Sequence, residues 1–155
     1  MKKSRTGALI VFVKYYDDQL FANSCETIDS RISKRLLESI FQKNSPLHDG
    51  AVVISENKIK SASCILPLTD NDTLPPQFGL RHRAGIGISE NTDAVAVIVS
   101  EETGVMSMAR DGQLTRYLDT KSLTILLTEL FTPDRTISSW IAEPTRKEEP
   151  ADEEA

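Results

Sequence analysis

Three short stretches hold the residues that could do chemistry. The first is Ser45-Pro46-Leu47-His48-Asp49-Gly50-Ala51-Val52-Val53-Ile54, an Asp-Gly turn running straight into an apolar segment. Gly takes φ > 0 freely and Asp can hydrogen-bond its own backbone, so the pair suits a tight bend, and the strand behind it supplies a rigid base. His48 and Asp49 set an imidazole beside a carboxylate, a start for a divalent-metal site. Alone, such a turn is more often only a turn. The second stretch is Gly79-Leu80-Arg81-His82-Arg83-Ala84-Gly85. Two guanidiniums flanking an imidazole suit a polyphosphate, because each offers fixed planar donors that pair phosphate oxygens two at a time. The plainer reading is a solvated basic patch. The third, Val99-Ser100-Glu101-Glu102-Thr103-Gly104, closes another apolar run with a hydroxyl and two carboxylates, and its plainer reading is a strand end with a Gly turn.

In this order and with these neighbours, the three stretches resemble the diadenylate cyclase domain. That family joins two ATP molecules into cyclic di-AMP and carries Asp-Gly-Ala and Arg-His-Arg motifs, here Asp49-Gly50-Ala51 and Arg81-His82-Arg83. The likeness covers residues 7–130, including Gly7-Ala8-Leu9-Ile10-Val11 and Asn44-Ser45-Pro46-Leu47, and runs nearest to the cytosolic catalytic domain of the membrane-anchored cyclases. Leu80 departs from it, since many relatives carry Thr before Arg-His-Arg and Leu80 has no hydroxyl to offer.

The resemblance implies a reaction in which the 3′-hydroxyl of one ATP attacks the α-phosphate of another and expels pyrophosphate, twice over. Arg81 and Arg83 would clamp the β and γ phosphates, with His82 a further donor or a brace. Ser100 and the backbone at Gly50-Ala51 would donate to phosphate oxygens. Gly79, Glu101 and Leu66 complete the expected ATP contacts, Leu66 falling where a relative packs a side chain against adenine; its plainer reading is core. A divalent cation, Mn²⁺ or Mg²⁺, would bridge phosphate to carboxylate, with His48 and Glu102 as candidate ligands and Asp49 facing it. The imidazole leans that choice toward Mn²⁺. Asp49 either serves the metal or helps deprotonate the attacking hydroxyl, and the residues leave both roles open.

Each motif occurs once, so one chain offers one ATP site. A symmetric product needs two sites opposed across a two-fold axis, which makes a homodimer the expected catalytic form. Two rivals compete. A regulatory module that binds ATP or a cyclic dinucleotide without turnover would keep the arginines and have no need of Asp49. A metal-dependent phosphohydrolase would turn His48, Asp49 and Glu102 on water. A structural interaction domain explains neither the paired arginines nor the carboxylates.

The 155 residues, 39% of them hydrophobic, suit a single domain with a sizeable core. Net charge is −5, of which residues 143–155 carry −4 with six acids and two bases, leaving −1 for the rest. No broad positive field attracts nucleic acid, so any phosphate site must be local. The expected organisation is a basic lead-in over 1–6, a catalytic domain over 7–142 and an acidic, disordered tail over 143–155. Cys25 and Cys64 show no metal spacing and read as reduced core thiols of a cytosolic protein. The longest apolar runs, 8–13 and 94–99, fall far short of the ~20 residues that span a bilayer. In the resembled cyclases transmembrane helices precede the domain, which suggests an excised cytoplasmic piece of a protein held at the inner face of the membrane, with room for a regulatory protein partner.

The elements that must position these residues follow from pattern. Residues 7–14 read as a buried strand, and 20–22 as a short strand pairing back. Ile28, Ile32, Leu36, Leu37, Ile40 and Phe41 recur at helical spacing, with Asp29 or Ser30 as the cap and Pro46 beyond the end. Residues 51–55 and 58–66 flank Glu56-Asn57 as a hairpin, and 69–78 is a loop at the cleft mouth. Local propensity speaks against a helix over 81–90, since Gly85 and Gly87 each cost about 1 kcal/mol there, whereas the family resemblance implies one. Residues 94–100 form a strand, 105–109 and 113–118 a second hairpin, and 120–131 a final helix capped by Asp119 or Thr120, with Leu123, Leu126, Leu127 and Leu130 inward. Strands outnumber helices and mostly join by hairpins, so the expected class is α/β, a mixed central sheet surrounded by helices.

Overall fold

The most aliphatic runs of the chain become the middle of one sheet. The computed structural model describes residues 6–21, 24–71, 74–76 and 78–131, in two units, 1–118 and 119–155. The first unit contains β1 (Ala8–Phe12), α1 (Asp18–Phe21), β2 (Glu26–Arg31), α2 (Lys34–Phe41), β3 (Ala51–Ser55), β4 (Lys58–Cys64), α3 (Leu80–Asn91), β5 (Val95–Val99), β6 (Met106–Arg110) and β7 (Gln113–Leu118). The sheet order is β2-β4-β3-β1-β5-β6-β7. β1 runs parallel to β3, with Ile10 opposite Val52, and every other pairing is antiparallel. The sheet is therefore mixed, and the α/β expectation holds.

Both hairpins form where their turn residues require. Glu56 and Asn57 take φ of 53° and 64°, and Asp111 and Gly112 take 53° and 77°, the paired left-handed conformations of a two-residue turn whose twist matches the strands.

α3 packs on β1, β5, β6 and β7, and is buried along most of its length. Its Ile86 and Ile88 join Leu9, Val11 and Ile98 in the core, each side chain worth about 1.5–3 kcal/mol of transfer free energy. The two glycines that argue locally against a helix are what let it sit so close. A Cβ on Gly85 would meet Ile98 Cδ1 at 2.9 Å, and one on Gly87 would meet the Pro67 carbonyl oxygen at 2.2 Å. Thr69 completes the seam, its amide donating to Arg83 O and its hydroxyl to Glu90 Oε2 at 2.7 Å. Tertiary packing outweighs propensity here.

Three expectations are corrected. Residues up to Phe21 form the single helical turn α1 rather than a strand, with Asp17 Oδ1 accepting from the Gln19 amide at 2.9 Å; Ala22 lies outside the described residues. The helix expected to include Ile28 and Ile32 begins only at Lys34 and ends at Phe41, before Pro46. Ile28 belongs to β2, which pairs with β4, and Asp29 takes φ of 52°, which a helix cannot absorb. The cap is Ser33, whose hydroxyl accepts from the Leu36 amide. Finally, the cysteines are not free thiols. The register that sets Glu26 opposite Ala62 brings Cys25 and Cys64 within 4.2 Å at Cα, and their sulfurs are bonded at 2.10 Å.

In the second unit α4 (Thr120–Phe131) spans the expected residues, and Asp119 Oδ1 caps it by accepting from the Ser122 amide at 2.7 Å. Among the described residues no helix is long and apolar enough to cross a membrane. The lead-in over 1–5 and the acidic tail over 143–155 lie outside the described residues.

Candidate active site

Three chain segments from the sheet and α3 meet around one cavity of about 940 Å³, within the size range of small-molecule sites. The turn before β3 supplies Asp49 and Gly50. Gly50 takes φ of 86°, and a Cβ there would stand 2.6 Å from the Cys64 carbonyl oxygen, so only glycine lets the bend lie against β4. Asp49 is thereby presented at the exposed edge of the cavity. The residues that flank the Asp49-Gly50 pair are not. His48 turns Nδ1 to Ser45 O at 2.8 Å and lies outside the lining, as does Ala51, fully buried as the first residue of β3.

The first turn of α3 supplies Gly79, Leu80, Arg81 and His82. Gly79 caps this helix without a side-chain hydrogen bond, so the first amide donors, which have no intrahelical partner, stay available to an anion. Arg81 Nη1 stands 3.5 Å from Glu101 Oε1, while its Nε is buried with no hydrogen-bond partner. Arg83 is not part of the wall. Positions two apart on a helix point about 200° away from each other, which sends the Arg81 and Arg83 side chains off in different directions. Arg83 Nε instead donates to Phe78 O at 3.3 Å. His82 is buried and stacks on Phe78, ring centroids 5.2 Å apart and planes 15° from parallel. Burial first, then the charges of Arg116 and Arg81, hold its pKa below the ordinary imidazole value, favouring the neutral ring.

The end of β5 supplies Ser100, Glu101 and Glu102. Ser100 Oγ accepts from the amides of Glu102 and Thr103, and Gly104, at φ of 75°, returns its amide to Ser100 O, which fixes the acidic turn at the rim. Leu66, at the apolar end with Leu9 and Leu68, is 8% exposed and suits a flat base.

Of the metal candidates, Asp49 and Glu102 line the cavity and His48 does not. Among the described residues no three or more His, Cys, Asp or Glu side chains gather closely enough to hold a metal ion. Two carboxylates still fit a hard cation, which takes one or two from a protein and completes its shell from phosphate and water.

Several lining residues were not among the expected site residues. Ile65, Leu68 and Leu80 are exposed apolar side chains around the mouth. Ser63 reaches the cavity at φ of 56°, next to a break in the β3–β4 register. Only the pairing of those strands reveals it.

A family model described as DAC, the DisA bacterial checkpoint controller nucleotide-binding domain, matches residues 1–114. The chain belongs to the DAC family. This DAC chain is 44% identical over 133 residues to a diadenylate cyclase of Listeria monocytogenes, covering 85% of itself and 49% of that protein. It is 40% identical over 146 residues to the cyclic di-AMP synthase CdaA of Bacillus subtilis, covering 90% of itself and 52% of the relative. The DAC chain thus spans about half the length of these curated relatives. The crystal structure of a double mutant of DacA from Staphylococcus aureus matches with a TM-score of 0.82 and 45% identity over 86% of this chain and 89% of that one. A structure described as a hypothetical membrane spanning protein from Bacillus cereus matches with a TM-score of 0.69 and 41% identity over 76% of this chain and 58% of that one.

Proposed function

We propose that the cavity binds ATP and that the chain is a diadenylate cyclase, condensing two ATP into cyclic di-AMP and two pyrophosphates. The observation that carries this reading is the meeting of Asp49 and Arg81 on one cavity, a carboxylate at its open edge and a guanidinium on its wall. Leu66 and Leu9 receive the adenine. Arg81, the free amides at the start of α3 and the Ser100 hydroxyl hold the phosphates, which neutralises the charge that spreads over the leaving group. His82 serves as a neutral donor beside them. Arg83 acts indirectly, by holding the Phe78 carbonyl.

Asp49 faces the second nucleotide. As the bond from its 3′-oxygen to the α-phosphorus forms, the bond from that phosphorus to the pyrophosphate oxygen breaks, and the hydroxyl proton passes to Asp49. Glu102, with Asp49 in its alternative role, would hold a divalent cation, Mg²⁺ or Mn²⁺, which would supply charge neutralisation at the leaving group. Repeating the transfer from the other side closes the ring, so two chains meet with cavities opposed about a two-fold axis. ATP as substrate puts the domain in the cytoplasm; within a membrane-anchored protein it would stand at the inner face, open to a regulatory protein.

The test is to incubate the chain with ATP and a divalent cation and resolve the products by mass. A cyclic dinucleotide of two AMP units supports the cyclase. ADP or AMP would mean a phosphohydrolase, and unchanged ATP with measurable binding a regulatory module. Activity should also rise more steeply than linearly with protein concentration where the dimer is weak.

A further inference from the structure

We propose that Phe78 and Arg116 are positioning residues of the nucleotide site, which together fix the ring of His82 at the cavity wall. The inference rests on reading the cavity as the ATP site, and it concerns two residues outside every motif. Arg116 belongs to β7, the edge strand, and its guanidinium carbon stands 5.0 Å from the centroid of the Phe78 ring. The Phe78 ring in turn lies against His82. A guanidinium, a phenyl ring and an imidazole thus form one continuous stack from the sheet edge to the cavity. Arg116 Nε is buried with no hydrogen-bond partner, and the Tyr117 centroid is also close, at 4.8 Å. A buried donor without an acceptor is unfavourable, and the two ring faces are the contacts that offset that cost. Arg83 fixes the same phenylalanine through its carbonyl. Three of the chain's arginines therefore bear on one imidazole, and Arg81 alone lines the cavity.

The stack restricts both orientation and charge. A neutral imidazole has one donor and one acceptor, whereas an imidazolium has two donors. The cations bearing on His82 are Arg116 from β7 and Arg81 from its own helix. Of the other strands that α3 touches, β1 and β5 carry no titratable side chain and β6 only Arg110, its last residue. The carboxylates of Asp49, Glu101 and Glu102 line the cavity beyond. Removing Arg116 takes away a positive charge and one support of the ring together.

The test uses Arg116→Met and Arg116→Lys in the full chain. His48 and His82 are its two histidines, so isotope-labelled histidine gives two resolvable NMR titrations. The expected result for Arg116→Met is a His82 midpoint displaced upward, toward the ordinary imidazole value, with kcat down about tenfold and KM for ATP within about twofold. Arg116→Lys, which keeps the charge, should bring the midpoint back and restore kcat to within about threefold of the original. A folded Arg116→Met with midpoint and kcat unchanged overturns the proposal. If that variant does not fold, Phe78→Leu carries the test: kcat down about tenfold at constant KM supports the stack, and unchanged kcat refutes it. The NMR measurement needs no turnover. A chain that makes no cyclic dinucleotide, yet whose His82 midpoint moves in Arg116→Met, refutes the cyclase reading and keeps the stack; a chain that turns over while neither quantity moves does the reverse.

Discussion

Glu101 Oε1 stands 3.5 Å from Arg81 Nη1, so the guanidinium that lines the cavity already holds a carboxylate. A triphosphate must share that guanidinium with Glu101 or displace it. The Glu101 side chain is 63% exposed, and such pairs are worth about 0.2–1 kcal/mol. Glu101→Gln should therefore tighten ATP binding, by up to about fivefold, and the gain should shrink as salt screens the competition. Calorimetric titration at two ionic strengths checks this. Weaker binding by the variant would mean that the carboxylate itself touches the nucleotide.

Gly7 lies under the same pair. A Cβ there would come within 2.8 Å of Arg81 Nη1 and 3.0 Å of Glu101 Cβ. The nearest atom is the far end of a flexible side chain, so the fold can yield where the site cannot. Gly7→Ala should leave the melting temperature within about 3 °C and raise KM for ATP about tenfold, as Arg81 is pushed aside. Thermal unfolding and steady-state kinetics on one preparation separate the two effects.

Two other glycines should behave oppositely. At Gly87 an added methyl meets backbone, the Pro67 oxygen at 2.2 Å and the Thr69 nitrogen at 2.9 Å, which cannot move without opening the loop over the cavity mouth. At Gly79 it meets nothing within 4 Å. Gly87→Ala should cost at least about 2 kcal/mol, and Gly79→Ala no more than about 1 kcal/mol, the loss of the better N-cap residue. Denaturant midpoints measured side by side decide it.

The Cys25–Cys64 bond closes a loop across 39 positions, and in the chain-entropy account a link of that span stabilises by about 4 kcal/mol. A reducing cytoplasm, the compartment proposed for this domain, would work against such a bond. Cys25→Ser should lower stability by about 2–4 kcal/mol, and a thiol reductant should lower the melting temperature of the original chain but not of the variant. Equal melting with and without reductant in both would show that the bond contributes nothing.

How much of this was legible follows from which forces are local. The Asp49-Gly50 bend and both hairpin turns could be read because a left-handed φ leaves a residue signature in Gly, Asn and Asp. β5, a run of five apolar residues, is aliphatic enough to be a strand wherever it lies. β2 was misread because Ile28 and Ile32 keep helical spacing, while the pairing with β4 that claims Ile28 is remote in sequence. α3 hides for a related reason: buried on nearly every side, it shows no polar face, and its glycines make sense only once Ile98 and Pro67 are seen against them. The disulfide depends on the β2–β4 register in the same way. Arg83 is the instructive site residue. A run of Arg-His-Arg looks like one basic cluster in sequence, yet helical geometry divides it between the cavity and Phe78.

The central claim is that Asp49 and Arg81 act on one ATP-derived reaction, and Asp49→Asn tests it most directly. The substitution keeps the shape of the side chain and removes its charge at an exposed turn, where substitutions usually change stability little. With ATP and a divalent cation, the account expects the original chain to yield a cyclic dinucleotide of two AMP units, while the variant melts within about 2 °C of it, still binds ATP within about threefold and forms less than about a hundredth of the product. Cyclic dinucleotide formation by Asp49→Asn at the original rate would contradict it.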